Sequence, residues 1–247
     1  MSAEAADGAG RIALPEIDST NAEGFRRGGG PVWITAGLQT AGRGRRARPW
    51  VSPRGNFHGT LVLHPAEPPE TVALRSFVAA LALRDALVAV TGLPDAFALK
   101  WPNDVLLNGG KVAGILLESQ SLGTPDATLC IGIGVNLIAA PDASLVEPGA
   151  LAPVSLLQDT GKRVTPEAFL DALAPTYATW ETTFATQGFA PIRAAWLAHA
   201  ARLGEAIKAR TGVTTRTGIF ETIDATGNLI LRTPSVTLAI PAAEVFF

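Results

Sequence analysis

An Asn-Gly pair between two apolar runs is the feature that most limits how this chain can fold. The pair is Asn108-Gly109, within "FALKWPNDVLLNGGKVAGILLES" (residues 97–119). Asn-Gly is the strongest short-range hairpin signal, because both residues tolerate the positive φ that the turn requires. We therefore predict two antiparallel strands joined at this turn. Strict alternation along the second strand would place four side chains on one face: Lys111, Ala113, Ile115 and Leu117.

The rest of the chain alternates between strand and helix patterns. Strands are predicted at residues 11–17, 31–38, 57–64 and 127–137, where apolar and β-branched residues dominate. Helices are predicted to begin near Asp18-Ser19-Thr20 and to span residues 69–91. Residues 165–199 are predicted to be helical, with a kink or break at Pro175 and a second helix, carrying Trp196, set apart by Gly188 and Pro191. From Leu203 onward, short strands with Gly turns indicate a small antiparallel barrel.

The composition excludes several classes of protein. The 247 residues are 47% hydrophobic, so the chain can bury a core, and 20 Lys+Arg against 22 Asp+Glu do not favour a protein that coats nucleic acid. One cysteine, Cys130, cannot form an internal disulfide and is expected in the core. The N-terminus lacks the pattern of a signal peptide, and no apolar run is long enough to span a bilayer. We expect a cytoplasmic protein without nucleic-acid or membrane partners.

A glycine-arginine loop stands out against this neutral background. "TAGRGRRARPW" (residues 40–50) holds four arginines within six positions. It fits a dinucleotide fingerprint by spacing, but Pro49 prevents the helix that such a fingerprint requires. The simplest alternative is a solvated charged loop. Gly42 and Gly44 favour an anion-binding loop instead, because they let backbone N–H groups approach an anion that arginines can grip. Trp50 could stack on a ligand or lie in the core.

The hairpin carries a second candidate group. Lys111 is expected beside an apolar row, which is costly unless the ammonium group is paired. It could extend into water from the strand end, or it could hold a carboxylate or a phosphate. Asn103 and Asp104 precede it across the hairpin, and such a pair can hold a divalent metal or orient a ribose and its phosphates. Gly114 leaves room for a flat ligand.

Taken together, four segments in this order resemble biotin protein ligases. The segments are "DSTN", "QTAGRGRRARPWVSPRGN", "KWPNDVLLNGGKVAGILLES" and "GIGVNL", between residues 18 and 137. The resemblance implies an α+β fold in which a mixed β-sheet with packed helices, similar to class II synthetases, occupies residues 1–200. It also implies a C-terminal SH3-like barrel at residues 201–247.

The resemblance further implies a biotin–[acetyl-CoA-carboxylase] ligase that uses ATP and Mg²⁺. Biotin is activated as biotinyl-5′-AMP and then transferred to a lysine of a biotin carboxyl carrier protein; a homodimer is compatible with the family. Arg45 and Lys111 are the implied catalytic residues. Those implied to bind biotin are Ser19, Thr20, Asn21, Gln39, Arg43, Gly44, Arg45, Lys111, Gly114 and Leu116. Those implied to lie at the nucleotide are Arg45, Arg48, Trp50, Asn103, Asp104, Lys111 and Asn136, with Asp104 also the candidate metal ligand.

Two departures from the family pattern and two competing functions remain at this point. Ala47 stands where a Gly is usual, so a positive φ there would be strained. Phe57 and His58 replace an aliphatic-Tyr pair and are expected near the pocket wall. About ten residues precede the first strand, so we expect no helix-turn-helix unit and no repressor activity. A lipoate or octanoate ligase of the same fold, and a non-catalytic biotin-binding module, are the alternatives.

Overall fold

Seven strands form one mixed sheet in a computed structural model that describes residues 8–142, 144, 146, 149–241 and 243–247. Their order is β1-β2-β3-β7-β6-β5-β4. β1 and β2 are parallel, and the remaining neighbours in this sheet are antiparallel. The strands are β1 (Gly10–Leu14), β2 (Val32–Ala36), β3 (Phe57–Leu63), β4 (Phe97–Lys100), β5 (Asp104–Leu107), β6 (Gly110–Gln120) and β7 (Thr128–Val135).

Helices cover the two faces of the sheet unequally. The helices are α1 (Thr20–Arg27), α2 (Pro69–Ala73), α3 (Arg75–Thr91), α4 (Leu156–Thr160), α5 (Pro166–Gln187) and α6 (Phe189–Ala198). α3 packs against α5 and α6 over the main core, which contains Phe57 and Ile131. α1 packs on the opposite face, where Val62 and Cys130 are fully buried. None of the helices in the described residues is long and apolar enough to cross a bilayer.

Local signals predicted most of these elements, but the single helix predicted over residues 69–91 was wrong. Residues 69–91 form two helices, because the N–H of Leu74 donates to the carbonyl of Thr71, a tighter bond than the helical one. α5 continues through Pro175 without a break. Pro175 and Asp171 both lie on the exposed side of α5, so water can hydrate the carbonyl that Pro175 leaves without its helical donor.

A β-bulge in the hairpin overturns the predicted facing of β6. Asn108 and Gly109 form the turn with positive φ, as expected. However, Lys111 pairs with Leu106 while Ala113 pairs with Val105, so one extra residue is inserted between them. Beyond the bulge the alternation is reversed. Lys111 therefore shares a face with Gly114 and Leu116, whereas Ala113 and Ile115 face the core.

The C-terminal strands form a second, smaller sheet. They are β8 (Ala206–Thr211), β9 (Thr214–Ile223), β10 (Leu229–Arg232), β11 (Thr237–Ile240) and β12 (Glu244–Phe246), in the order β11-β10-β9-β8-β12. Every pairing in it is antiparallel, as predicted. Over the described residues β11 and β12 do not pair with each other, so this sheet does not close into the predicted barrel. The Nε1 of Trp101 donates to the carbonyl of Gly227 and joins the two sheets.

Candidate functional site

A cavity of about 560 Å³ lies where the two sheets meet. Its floor is formed by β6 and β7, and the N-terminus of α1, the glycine-arginine loop and the start of β12 form its walls. All fifteen residues that the sequence nominated line it: Ser19, Thr20, Asn21, Gln39, Arg43, Gly44, Arg45, Arg48, Trp50, Asn103, Asp104, Lys111, Gly114, Leu116 and Asn136. The fold thus brings together residues that are up to 117 positions apart, from position 19 to position 136.

The glycine-arginine loop folds back on itself as a tight hairpin. The N–H of Trp50 donates to the carbonyl of Gly42, and the N–H of Gly44 donates to the carbonyl of Arg48. A Cβ on Gly42 would lie 2.7 Å from the Oγ of Ser52, so only glycine fits at this crossing. Arg46 and Ala47 both have a φ of 57°. The positive φ expected at Ala47 is therefore present, and this residue type adopts it at a cost in backbone strain.

Carboxylates from two distant elements hold the arginines of this loop. The guanidinium of Arg43 makes two 3.1 Å hydrogen bonds to Glu118 on β6. On the other side, Arg46 lies 2.9 Å from Glu244 on β12, and Arg48 pairs with the same carboxylate. Arg45 donates to the carbonyl of Ala243 at 3.3 Å. Two carboxylates outside the loop thus offset part of the repulsion among its four like charges.

Arg45 is a partly buried cation of the loop. Its burial, together with the positive charge of Arg46, lowers the pKa of its guanidinium below the ordinary value, while Asp104 and Glu244 act in the opposite direction. The guanidinium stays protonated, because arginine cannot lose its proton at any physiological pH. A desolvated cation of this kind interacts more strongly with an anion than an exposed one does.

Two lysines flank the carboxylate of Asp104. The Nζ of Lys111 lies 2.7 Å from Oδ1, and the Nζ of Lys100 lies 3.5 Å from Oδ2. Burial opposes ionisation of Asp104, but the charges of Lys111 and Lys100 outweigh it and lower its pKa. Burial lowers the pKa of Lys100, and Asp104 partly offsets this shift. Lys111 is therefore paired although it does not lie on the apolar face where alternation placed it, and the alternative that it simply extends into water is wrong.

Trp50 lies over the floor of the cavity rather than in the core. A Cβ on Gly134 would lie 2.5 Å from its indole ring, and a Cβ on Gly114 would lie 3.3 Å from it. The Nζ of Lys111 is 5.6 Å from the ring centroid. The sequence left the position of Trp50 open. Gly132 and Gly134, which alternate along β7, were not nominated, although two glycines on one face of a strand are a signal of close approach.

A chain of hydrogen bonds links the N-terminus of α1 to the floor. Ser19 caps the helix by accepting from the N–H of Ala22, as the sequence predicted. The N–H and hydroxyl of Thr20 both lie near Oε1 of Gln39, at 2.8 and 3.0 Å. Asn21 donates to Glu118 at 2.8 Å and accepts from Thr60 at 2.6 Å. Such a wall offers donors and acceptors to a polar ligand.

The remaining nominated residues have structural partners. Asn103 donates to the carbonyl of Ile115 at 2.6 Å, and Asn136 donates to the carbonyl of Val154 at 3.1 Å. Phe57 was expected near the wall, but it lies in the core on the other face of the sheet, edge-on to Phe169. His58 is 2% exposed, lies 3.2 Å from the carbonyl of Pro53 and does not line the cavity. Burial lowers its pKa, which favours the neutral ring.

Sequence reasoning missed the residues that support the nominated ones. Glu118, Lys100 and Glu244 were not nominated, because single charged residues in strands carry no local signal of their distant partners. No group of three or more His, Cys, Asp or Glu side chains suited to a metal occurs in the described part of the chain. The oxygens of Asp104, the candidate metal ligand, face the ammonium groups of Lys111 and Lys100.

Comparisons with known proteins agree with this geometry. Residues 18–136 match the biotin/lipoate A/B protein ligase family, and residues 203–247 match the biotin protein ligase C-terminal domain. The biotin–[acetyl-CoA-carboxylase] ligase of Paracoccus denitrificans is 58% identical over 95% of this chain and 99% of the relative. The bifunctional ligase/repressor BirA of Bacillus subtilis is 32% identical over 86% of this chain and 65% of the relative.

A solved structure extends the similarity to the fold. The biotin protein ligase of Aquifex aeolicus, in complex with biotin and ATP, superposes with a TM-score of 0.82. It is 27% identical to this chain and covers 95% of it and 97% of its own length.

Proposed function

The chain belongs to the biotin protein ligase family, and we propose that it activates biotin with ATP and transfers the biotinyl group to a lysine of a carrier protein. In the first step a carboxylate oxygen of biotin attacks the α-phosphorus of ATP. The bond to pyrophosphate breaks, and biotinyl-5′-AMP forms. In the second step the ε-amine of the carrier lysine attacks the acyl carbon, AMP leaves, and the amine loses a proton. The observation that carries this proposal is the meeting of a polar wall and a cationic wall in one cavity.

We propose that biotin lies against the polar wall. Ser19, Thr20, Asn21 and Gln39 supply hydroxyl and amide groups there, with Gly114 and Leu116 on the adjoining strand. The ureido group of biotin has both N–H donors and a carbonyl acceptor, so it can bond with groups of both kinds. Arg43 and Gly44 then lie at the loop side of the same ligand. These assignments rest on the residues that line the cavity.

We propose that the α-phosphate and the biotin carboxylate meet at Lys111 and Arg45. Negative charge develops at the phosphorus during attack, and fixed cations stabilise it best where water is excluded. Asp104 lies 2.7 Å from the ammonium group of Lys111, so the carboxylate orients this cation before the ligand arrives. Displacing Asp104 from Lys111 would free the ammonium group for the ligand.

We propose that the nucleotide extends past Trp50 toward Arg48, Asn103, Asp104 and Asn136. The flat indole ring over the glycines suits stacking with a base. Mg²⁺ enters as part of the substrate MgATP and needs few protein ligands, because nucleotide phosphates and water complete its octahedron. We propose that Asp104 supports the ion once the ligand has taken its place beside Lys111.

We further propose that residues 201–247 form a separate small domain that closes the catalytic domain of residues 1–200. Glu244 pairs with Arg46 and Arg48, and the carbonyl of Ala243 accepts a hydrogen bond from Arg45. Biotinyl-5′-AMP is a mixed anhydride that water would hydrolyse, so the loop must stay closed over it. The small sheet thus contributes to protection of the intermediate.

The partner in this proposal is a biotin carboxyl carrier protein; the Paracoccus relative is named for ligating biotin to acetyl-CoA carboxylase. A lipoate or octanoate ligase would require a different loop from "GRGRRARPW". A non-catalytic biotin-binding module would have no use for two cations, Lys111 and Arg45, in one cavity. The discriminating experiment measures ATP–pyrophosphate exchange with biotin, with lipoate and without either. Transfer of labelled biotin to a purified carrier domain then tests the second step.

We expect exchange that depends on biotin, and labelled carrier after transfer. Exchange with lipoate but not biotin would establish the lipoate alternative. Biotin binding without any exchange would establish the binding module and overturn the proposal. Sedimentation of the protein with and without biotin and ATP tests homodimer formation.

A further inference from the structure

The carboxylate of Glu118 contacts two residues that we assign to the biotin site, Arg43 in the loop and Asn21 in α1. Glu118 lies on β6, and its side chain is 29% exposed. One side of the carboxylate receives the two hydrogen bonds from Arg43 of the loop. The Oε2 atom also receives the 2.8 Å hydrogen bond from Nδ2 of Asn21. Glu118 itself does not line the cavity, whereas Arg43 and Asn21 do.

The negative charge of Glu118 determines which way the Asn21 amide points. Nδ2 of Asn21 faces Glu118 and the carbonyl of Leu116, and Oδ1 faces the hydroxyl of Thr60. An ionised carboxylate accepts hydrogen bonds only, so a flipped amide would put oxygen against oxygen. The amide of Asn21 also packs closely on β7, because a Cβ on Gly132 would lie only 2.5 Å from Oδ1 of Asn21. The amide is thereby held in one orientation.

The same network reaches the far end of the loop. Thr60 lies 2.8 Å from the hydroxyl of Thr20, and Thr20 contacts Oε1 of Gln39. Nε2 of Gln39 donates to the hydroxyl of Ser52, which donates to the carbonyl of Trp50. Hydrogen bonds therefore connect the start of the loop at Arg43 with its end at Trp50 by a path through the wall assigned to biotin.

We propose that Glu118 is a positioning residue that couples occupancy of the biotin site to closure of the loop over residues 42–48. This inference rests on the proposed function and adds a residue that acts through Asn21 and Arg43. Fixing the amide of Asn21 presents one hydrogen-bonding pattern to the ligand. Holding Arg43 keeps the loop against β6. A ligand that bonds to Asn21 therefore stabilises the arrangement in which Arg43 is also held.

The test compares E118Q with the control E16Q. Glutamine keeps the size of Glu118 but loses the charge, so Arg43 is held less firmly and either amide orientation of Asn21 is allowed. Glu16 is a matched control, because it also faces an arginine, Arg54 at 3.6 Å, and lies outside the cavity lining. The measurements are KM and kcat for biotin in pyrophosphate exchange, and the rate of trypsin cleavage within residues 42–48.

We expect E118Q to raise KM for biotin about tenfold with kcat within about twofold, since ground-state and transition-state binding are weakened alike. Cleavage of the empty protein should become faster, and biotin should protect the loop less than in the wild type. E16Q should match the wild type in all three measurements. In an R43Q background, E118Q should raise KM by a smaller factor, because the loop contact is already lost.

An unchanged KM with unchanged cleavage in E118Q would overturn the proposal, and so would a fall in kcat at constant KM. Thermal unfolding of each variant shows whether the protein is folded when it is assayed. If the wild type itself showed no exchange, the proposed function would fail instead. Biotin binding by calorimetry and the cleavage assay would then still test whether Glu118 couples the ligand to the loop.

Discussion

The ammonium group of Lys111 lies 2.7 Å from Oδ1 of Asp104, across two strands whose register shifts by one residue. Without that bulge, Lys111 would share the face of Ala113 and Ile115, which are buried in the core. The extra residue instead turns the lysine toward the cavity, beside Gly114. A local irregularity in the sheet thus places the cation at the point where we assign the reacting carboxylate.

Replacing Lys111 tests that assignment directly. We expect K111A to reduce biotin-dependent pyrophosphate exchange by about 100-fold or more, the scale for losing a group that stabilises developing charge. The exposed Lys162 provides the control, and K162A should retain wild-type exchange. If exchange by K111A stayed within tenfold of the wild type, Lys111 would have no place in the mechanism.

The glycine-arginine loop should be protected from protease by ligands. Trypsin cleaves after arginine, and residues 45–48 are partly or fully exposed in the structure. We expect cleavage within residues 42–48 in the empty protein and little cleavage with biotin and ATP, because anions order the loop further. Mass spectrometry of the fragments locates the cut. Equal cleavage in both states would contradict a loop that orders on its ligand.

Glu244 should hold the loop closed from the C-terminal sheet. Its side chain is 13% exposed and contacts Arg46, Arg48 and Arg210. We expect E244Q to speed the loss of bound biotinyl-5′-AMP about tenfold, because a charged hydrogen bond to the loop is weakened. Filter retention of labelled intermediate measures this rate. E221Q is the control on the same sheet, where Glu221 lies 3.7 Å from Arg232. If E244Q and E221Q retained biotinyl-5′-AMP equally, Glu244 would not be the residue that holds the loop closed.

A methyl group under Trp50 should disturb the nucleotide end of the cavity. In G134A the added Cβ would lie 2.5 Å from the present position of the indole ring, so the ring must move. We expect KM for ATP to rise about tenfold, while KM for biotin changes less. G10A is the control, since a Cβ there would come no closer than 3.5 Å to any atom. An unchanged KM for ATP would place the nucleotide away from Trp50.

Acid should remove the contribution of Asp18 to stability. The hydrogen bond from Arg26 lowers the pKa of Asp18 from 3.8 to about 2. A carboxylate with a depressed pKa stabilises the folded state above its unfolded pKa, and this contribution is lost as the pH falls from about 4 to 2. We expect D18N to lower the midpoint of thermal unfolding slightly at pH 7, by about 1–3 °C, because the pair is largely exposed. The same difference at pH 2 would contradict the assignment.

Several features of the fold and of the site could be predicted from the sequence alone. Asn108-Gly109 predicted the turn, because few residue pairs adopt its backbone angles. Asp18, Ser19 and Thr20 together predicted the start of α1, because each type of side chain can accept from a free N–H at the helix end. The family resemblance nominated the fifteen residues that line the cavity. Each of these features depends on neighbours in the sequence or on matched segments.

The supporting contacts depend on the tertiary structure instead. Arg43 and Glu118 are 75 residues apart, and Arg46 and Glu244 are 198 residues apart. Only the packing of β6 and β12 around the loop selects these partners among 22 acidic residues. The bulge that turns Lys111 into the cavity is likewise decided by pairing with β5, since alternation alone placed it on the wrong face. The sequence by itself determined which groups could carry the chemistry. The three-dimensional packing decided which carboxylates hold them, because ion pairing depends on distance in space and not on separation along the chain.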